Sequence, residues 1–139
     1  MKRTISICIA SLLCLFGFTS CAKEENHMEI IDQEITYQQI TAQEAKSIMD
    51  TQQDYVIIDA RTEEEFAAGH IANAILIPEY EIARRAEAEL PDKDALILVY
   101  CRSGRRSKIA SEELVKLGYT NVKEFGGIID WPYEITTED

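Results

Sequence analysis

The sequence has little histidine, little cysteine and few basic side chains. Its 139 residues include two histidines and four cysteines. These residues form no close cluster with the spacing of a metal site, so neither a metal nor another cofactor is expected. Twenty-five acidic residues outnumber 14 basic ones, for a formal net charge of −11. Because such a surface repels phosphate backbones and anionic headgroups, nucleic acid is not expected as a partner.

The sequence also lacks a long hydrophobic run. Its main apolar segment, ISICIASLLCLFGF at residues 5–18, would rise about 21 Å as a helix against a hydrocarbon core of about 30 Å. Two basic residues precede this segment and the small residues Thr19 and Ser20 follow it. This arrangement is typical of a secretory signal. We therefore predict that residues 1–20 are a signal peptide and that the protein is exported.

The cysteine that follows this segment predicts how the mature chain begins. A small residue directly before Cys21 resembles the lipobox of bacterial lipoproteins, although Phe18 stands where that family usually has leucine. The resemblance implies a lipid on Cys21 and anchoring in the bacterial cell envelope on a periplasmic or outer face. Residues 22–34 are polar and acidic with little periodicity, so residues 21–34 are predicted to comprise the attachment cysteine and an acidic tether. Ordinary signal cleavage is the alternative. Removal of residues 1–20 changes the formal net charge to −13, because this segment contains Lys2 and Arg3 but no acidic residue.

Strand and helix signals alternate along the rest of the chain. Two Thr-x-x-Glu capping boxes mark helix starts, and apolar runs such as ALILVY are typical of strands buried on both faces. This alternation predicts one α/β domain over residues 35–139, with a central, mostly parallel sheet and helices on both faces. The predicted strands cover residues 55–59, 75–77, 95–100 and 121–125, and the predicted helices cover residues 41–49, 62–69, 80–89 and a last segment that ends at Gly118.

The stretch YCRSGRRS, residues 100–107, lies between a predicted strand and a predicted helix. In such sheets the functional loops follow the carboxyl ends of strands. A turn that enters a helix directs N–H groups inward and stabilises an anion, which favours a thiolate and predicts a Cys101 pKa below the usual value. Gly104 permits the turn, and three arginines would attract an anionic substrate. The alternative is a small core cysteine beside solvated arginines.

Two longer motifs resemble the rhodanese family. The loop CRSGRRS with the later LGYTNVKEFGGIIDW resembles the active-site region of a rhodanese domain, and DARTEEEFAAGHIANAILIP at residues 59–78 resembles the family's upstream signature. The resemblance runs from about residue 35 to residue 133. It implies a rhodanese-like fold and a thiosulfate sulfurtransferase-like enzyme, which moves sulfane sulfur from a small anionic donor to cyanide or an external thiol.

The same resemblance implies the roles of the loop residues. Cys101 is the implied nucleophile and persulfide carrier. The implied substrate-binding residues are Arg102, Ser103, Gly104, Arg105 and Arg106, whose backbone N–H groups form a cradle around the terminal sulfur. The side chains of the three arginines are candidates for contact with the substrate.

Two other functions stay open. Phosphatases that resemble rhodaneses use the longer C-x5-R loop, whereas here the residue at that position is Ser107 and the last arginine falls at C-x4-R. A cysteine-dependent phosphatase or arsenate-type enzyme is therefore a less favoured reading. The other is a non-catalytic rhodanese-like module that binds a partner.

Several polar and aromatic residues near these motifs have structural explanations. Sulfur transfer to a thiolate needs no general base, so Asp59 and Arg61 are predicted to pair with each other. His70 is predicted to hydrogen-bond at a helix exit. Trp131 is predicted to pack in or beside the core. The acidic run at residues 63–65 is predicted to be a solvated first helical turn.

Overall fold

The computed structural model describes Glu34 and residues 36–138. The predicted signal peptide, Cys21 and all of the predicted tether except Glu34 lie outside the described residues. The strands are β1 (Gln38–Gln39), β2 (Tyr55–Asp59), β3 (Ala74–Leu76), β4 (Leu96–Cys101) and β5 (Val122–Gly127). The helices are α1 (Ala42–Thr51), α2 (Glu63–Ala67), α3 (Ile82–Glu89) and α4 (Arg105–Lys116), with 3₁₀ turns at Glu79–Glu81 and Ile128–Asp130.

The five strands form one parallel sheet in the order β1-β5-β4-β2-β3. Strand β4 lies at its centre and is buried at every residue. An apolar run of this kind is required where both faces of a strand are covered. The predicted α/β fold with a parallel sheet is therefore confirmed, and Cys101 lies at the carboxyl end of the central strand.

Successive residues of β4 enter two separate core layers, because side chains alternate across a strand. Ile97 and Val99 pack with Ala110 and Leu114 of α4, and α3 belongs to the same layer. The opposite layer contains α1 and the aromatic residues around Trp131. Helices therefore cover both faces of the sheet, as predicted. Within the described residues, no helix has the length and apolar character needed to cross a bilayer.

Both predicted capping boxes are present. The Thr41 hydroxyl accepts the Glu44 N–H, and the Glu44 carboxylate accepts the Thr41 N–H. Thr62 and Glu65 make the same reciprocal pair at the start of α2. Each pair satisfies backbone donors that the first helical turn leaves without partners. The sequence therefore places these two helix starts correctly.

Two elements have no clear sequence signal. Strand β1 is two exposed glutamines that pair with Lys123 and Glu124 of β5. The second element is an isolated antiparallel bridge, in which His70 and Thr136, near the C-terminus, exchange two backbone hydrogen bonds of 2.8 Å. Neither element shows apolar periodicity, so main-chain hydrogen bonding rather than side-chain burial specifies them.

A buried polar network joins β2, β4 and the segment before β3. Arg61 donates from Nε and Nη2 to the Asp59 carboxylate at 2.9 Å and 2.7 Å, which confirms the predicted pair. The Tyr100 hydroxyl donates to Asp59 Oδ2 at 2.5 Å and accepts the Ile71 N–H at 3.1 Å. Burial, with the Asp59 charge, raises the pKa of Tyr100 well above its ordinary value. Tyr100 is therefore a neutral donor at the centre of this network.

We expect Tyr100→Phe to lower the free energy of unfolding by about 1–3 kcal/mol, because it removes one buried donor to Asp59 Oδ2 and leaves the Ile71 N–H without a buried partner. Denaturant unfolding at neutral pH measures this loss. Tyr80→Phe is the matched control, since Tyr80 is 70% exposed and should lose almost nothing. Equal stabilities of the two variants would contradict the role assigned to the Tyr100 hydroxyl.

Candidate active site

Cys101 is the last residue of β4 and only 1% of its surface is exposed. The Gly104 N–H donates to its Sγ at 3.1 Å. Gly104 has φ +98°, a left-handed conformation that glycine adopts at little cost, and it immediately precedes α4. The chain therefore turns back over the sulfur and enters a 12-residue helix whose N-terminus faces the site.

The loop that follows Cys101 packs against Gly126 and Gly127 of β5. A Cβ on Gly127 would lie 2.1 Å from Arg102 O and 2.5 Å from Ser103 Cα, which no side chain could occupy. Ile129 N–H also donates to Arg102 O at 3.3 Å. Cys101 itself pairs with Gly127 after a register shift in the β4–β5 ladder. Residues of β5 and of the 3₁₀ turn that follows it thus hold the loop in place.

Opposing effects act on the ionisation of Cys101. Burial acts to raise its pKa. The Ser107 hydroxyl and the backbone N–H groups of Ser107, Gly104 and Ser103 act to lower it, and together they outweigh burial. The pKa of the thiol therefore lies below its ordinary value, in the direction that the sequence predicts. The participation of Ser107 was not anticipated, because the predicted cradle ended at Arg106.

Arg106 is held by an acidic partner from α2. Its Nη1 and Nη2 donate to Glu65 Oε2 and Oε1 at 2.7 Å and 2.8 Å, with both side chains largely shielded from solvent. The Arg106 hydrogen bonds are the main cause that lowers the pKa of Glu65 to about 2. The prediction of a solvated acidic turn is correct for Glu63 and Glu64, which are exposed, and wrong for Glu65. Partners 41 residues apart carry no local sequence signal.

The other predicted loop residues differ in exposure. Arg102, Ser103 and Arg105 are exposed, whereas Gly104 is buried. In the described part of the chain, neither Arg102 nor Arg105 forms an ion pair. These two guanidinium groups are therefore available to an approaching anion, whereas that of Arg106 is already neutralised by Glu65. The substrate-binding roles of all five loop residues stay predictions.

The residues explained structurally from the sequence lie where expected. His70 Nδ1 lies 3.0 Å from Phe66 O, and its ring stacks on Phe66 with centroids 3.7 Å apart. Trp131 is buried and its ring contacts those of Phe125 and Tyr133. These contacts confirm a hydrogen-bonding role for His70 at the end of α2 and a packing role for Trp131.

A buried acid beneath the loop was missed. Glu124, only 3% exposed, lies on β5 and accepts the Ser107 hydroxyl on Oε1 at 2.6 Å. The available signal was a charged residue between Val122 and Phe125 in a strand that the fold buries. That signal indicates a buried acid but not its partner, because α4 and β5 meet only in the folded chain.

Comparison with known proteins agrees with this geometry. A family model described as the rhodanese-like domain matches residues 41–132. This protein belongs to the rhodanese-like domain family. The chain is 41% identical over 73 residues to "Thiosulfate sulfurtransferase PspE" of Escherichia coli, covering 52% of this chain and 70% of that protein. It is 33% identical over 105 residues to "Thiosulfate sulfurtransferase GlpE" of Coxiella burnetii, covering 74% and 94%.

A solved structure shares this rhodanese-like fold. The structure described as "rhodanese with anions from E. coli" is 36% identical, with a TM-score of 0.57, and the match covers 60% of this chain and 99% of that one. The rhodanese-like fold and the sulfurtransferase class expected from the sequence are therefore supported by relatives that match over most of their own length.

We expect Glu65→Gln to lower the free energy of unfolding at pH 7 by about 1 kcal/mol, because it removes a partly exposed ion pair and keeps a side chain suited to the capping box. Since the pKa of Glu65 falls from 4.5 to about 2 on folding, its contribution is complete above about pH 4.5 and is lost towards pH 2. The difference in the free energy of unfolding between wild type and Glu65→Gln should therefore decrease to near zero as the pH falls from about 4.5 to 2. Urea unfolding from pH 7 to pH 2 measures it.

Glu64→Gln is the matched control, because Glu64 lies in the same turn and is exposed. The free energy of unfolding of Glu64→Gln should differ little from that of wild type, and this difference should not decrease between pH 4.5 and pH 2. A gap for Glu65→Gln that stays constant between pH 5 and pH 2 would contradict the ion-pair assignment.

Proposed function

We propose that this rhodanese-like protein transfers sulfane sulfur through a persulfide on Cys101, with thiosulfate or a related anion as the donor. The observation that carries the proposal is the Cys101 sulfur at the end of β4, with the Gly104 N–H donating to it at 3.1 Å and a pKa below the ordinary value. A thiolate is the nucleophilic form of cysteine. The thiosulfate sulfurtransferases among the relatives support this donor class.

The first half of the proposed reaction charges the cysteine. The Cys101 thiolate attacks the outer sulfur of thiosulfate, a Cys101 S–S bond forms, the S–S bond of thiosulfate breaks, and sulfite leaves with the bonding electron pair. The negative charge then lies on the outer sulfur of the persulfide, where N–H groups and the N-terminus of α4 favour an anion. Arg102 and Arg105 attract the dianionic donor to an otherwise acidic protein.

The second half discharges the persulfide. Cyanide attacks the outer sulfur, thiocyanate forms, and the Cys101 thiolate leaves as the S–S bond breaks. An external thiolate can take the same sulfur and become a persulfide itself. No proton has to be transferred within the site in either half, which agrees with the engagement of Asp59 by Arg61 and Tyr100.

Incubation with thiosulfate is expected to add one sulfur atom to the protein and to release one equivalent of sulfite. Intact-mass spectrometry and a sulfite assay measure the two products, and added cyanide should remove the extra mass and yield thiocyanate. Cys101→Ser should abolish all three signals. Arg106 is engaged by Glu65, so aryl phosphate hydrolysis is not expected.

Unchanged mass and no sulfite from the folded wild type would contradict the proposal and favour a non-catalytic binding module. Hydrolysis of an aryl phosphate that depends on Cys101 would instead favour a phosphatase. A circular dichroism spectrum of Cys101→Ser that matches the wild type serves as the folding control.

We further propose that the protein is exported and anchored to the bacterial cell envelope by a lipid on Cys21, with a periplasmic or outer-face domain. The support is in the sequence: basic residues, an apolar segment over residues 5–18, and a small residue before the cysteine. A surface of charge −13 would not bind anionic membranes by itself, so acyl chains would supply the attachment.

Bacteria fed an alkyne-labelled fatty acid are expected to label the wild-type protein and to retain it in the membrane fraction. Cys21→Ala should lose the label and the membrane association, whereas Cys101→Ser should keep both. Labelling that persists in Cys21→Ala would contradict anchoring at this residue.

A further inference from the structure

The ion pair between Glu65 and Arg106 lies at the same edge of the sheet as Cys101. Arg106 is the second residue of α4 and comes two residues after Gly104, whose N–H donates to the Cys101 sulfur at 3.1 Å. Glu65 belongs to α2, which begins soon after the carboxyl end of β2. Strands β2 and β4 are parallel neighbours, so their carboxyl ends lie side by side. The pair is therefore part of the surroundings of the sulfur.

The contacts hold the Arg106 guanidinium on the Glu65 carboxylate. Nη1 and Nη2 donate to the two carboxylate oxygens at 2.7 Å and 2.8 Å, the bidentate geometry that makes such pairs strong. Oε2 of Glu65 also accepts the N–H and the hydroxyl of Thr62 at 3.1 Å and 3.2 Å, so the carboxylate is itself held in position. Glu79 attracts Arg106 as well, but among the described residues only Glu65 forms an ion pair with it.

The other two arginines of the loop are not held in this way. Arg102 and Arg105 are exposed and form no ion pair within the part of the chain that the structure describes. A free guanidinium binds two oxygens of an oxyanion through parallel N–H donors. Because Arg106 lies in the first turn of α4, its long side chain would add such a contact at the site if Glu65 did not hold it. The Glu65 carboxylate therefore competes with a bound oxyanion for this guanidinium.

We propose that Glu65 is a positioning residue that limits the affinity of the Cys101 site for small oxyanions by holding Arg106. The consequence for turnover rests on the sulfurtransferase function proposed above. Both the thiosulfate donor and the sulfite product are oxyanions, and sulfite has to leave before an acceptor reaches the persulfide. A third free guanidinium would bind the donor more tightly, but it would also retain sulfite. Glu65 thus favours release of the product and lowers the affinity for the donor.

The test is the affinity of the full-length protein for sulfate, an unreactive oxyanion. Sulfate at constant ionic strength should slow the alkylation of Cys101 by iodoacetamide, read by mass spectrometry of the peptide that contains Cys101. We expect the sulfate concentration that halves the rate to be about tenfold lower for Glu65→Gln, the change that one charge-assisted hydrogen bond produces.

Glu64→Gln is the matched control, because it removes the same charge from an exposed position in the same helical turn. Its sulfate affinity should differ from that of wild type by less than about twofold, since an exposed charge is screened by solvent and salt. Glutamine at residue 65 keeps a side chain suited to the capping box, and a circular dichroism spectrum checks that the variant is folded.

A double variant separates the guanidinium from the change in charge. If Arg106 mediates the effect, Glu65→Gln should change the sulfate affinity by less than about twofold in an Arg106→Gln background. A tenfold gain in both backgrounds would overturn the proposal, because Glu65 would then act through its own charge. A sulfate affinity of Glu65→Gln that is equal to or weaker than that of wild type, or no protection in either protein, would overturn it as well. A purely structural ion pair predicts the weaker affinity, because a loosened loop would lose donors to the anion.

Steady-state kinetics with thiosulfate and cyanide measure the consequence for turnover. Glu65→Gln should lower the KM for thiosulfate and make sulfite inhibitory at about a tenfold lower concentration, whereas Glu64→Gln should leave both unchanged. Sulfite inhibition of Glu65→Gln equal to that of wild type would overturn the assigned effect on product release. Protection by sulfate does not require sulfur transfer. Tighter sulfate binding by Glu65→Gln in a protein that releases no sulfite from thiosulfate would therefore contradict the sulfurtransferase function and support the role of Glu65 in anion affinity.

Discussion

The close contact between the Cys101 loop and strand β5 is the constraint on which the site depends. The loop can lie against the sheet only because Gly127 has no side chain, as a Cβ there would lie 2.1 Å from Arg102 O. This approach lets the chain turn over the sulfur and start α4 within four residues. A bulkier β5 would push the turn outward and remove the N–H groups from the sulfur. The glycine of β5 therefore contributes to the chemistry of a cysteine on β4.

Charge is distributed so that few positive groups remain available at the site. Glu65 neutralises Arg106, Asp59 neutralises Arg61, and both pairs hold backbone segments together. Arg102 and Arg105 are exposed, and in the proposed reaction their guanidinium groups attract the anionic donor towards the N-terminus of α4. Within the Cys101 loop, Arg106 is thus engaged in a structural ion pair, whereas the proposed attraction of the donor is assigned to Arg102 and Arg105.

The sequence predicts what depends on local chemistry and fails where distant segments meet. Capping boxes, the buried apolar run of β4 and the turn at Gly104 are encoded within a few residues, so the helices, the central strand and the position of Cys101 were predictable. The pairing of Arg106 with Glu65 and that of Ser107 with Glu124 join segments 41 and 17 residues apart. Such contacts have no periodic signature. Strand β1 was missed for the related reason that its two glutamines pair only through the backbone.

The burial of Cys101 bears on the direction of the proposed transfer. A nucleophile that attacked the inner sulfur of a persulfide would form a mixed disulfide, whereas attack on the outer sulfur moves the sulfur atom. Since Cys101 is 1% exposed, the inner sulfur is shielded by the loop and the strand behind it. Cys101 is also the only cysteine among the described residues, so no neighbouring thiol in this part of the chain can divert the persulfide. The fold thereby favours sulfur transfer to an external acceptor over disulfide formation.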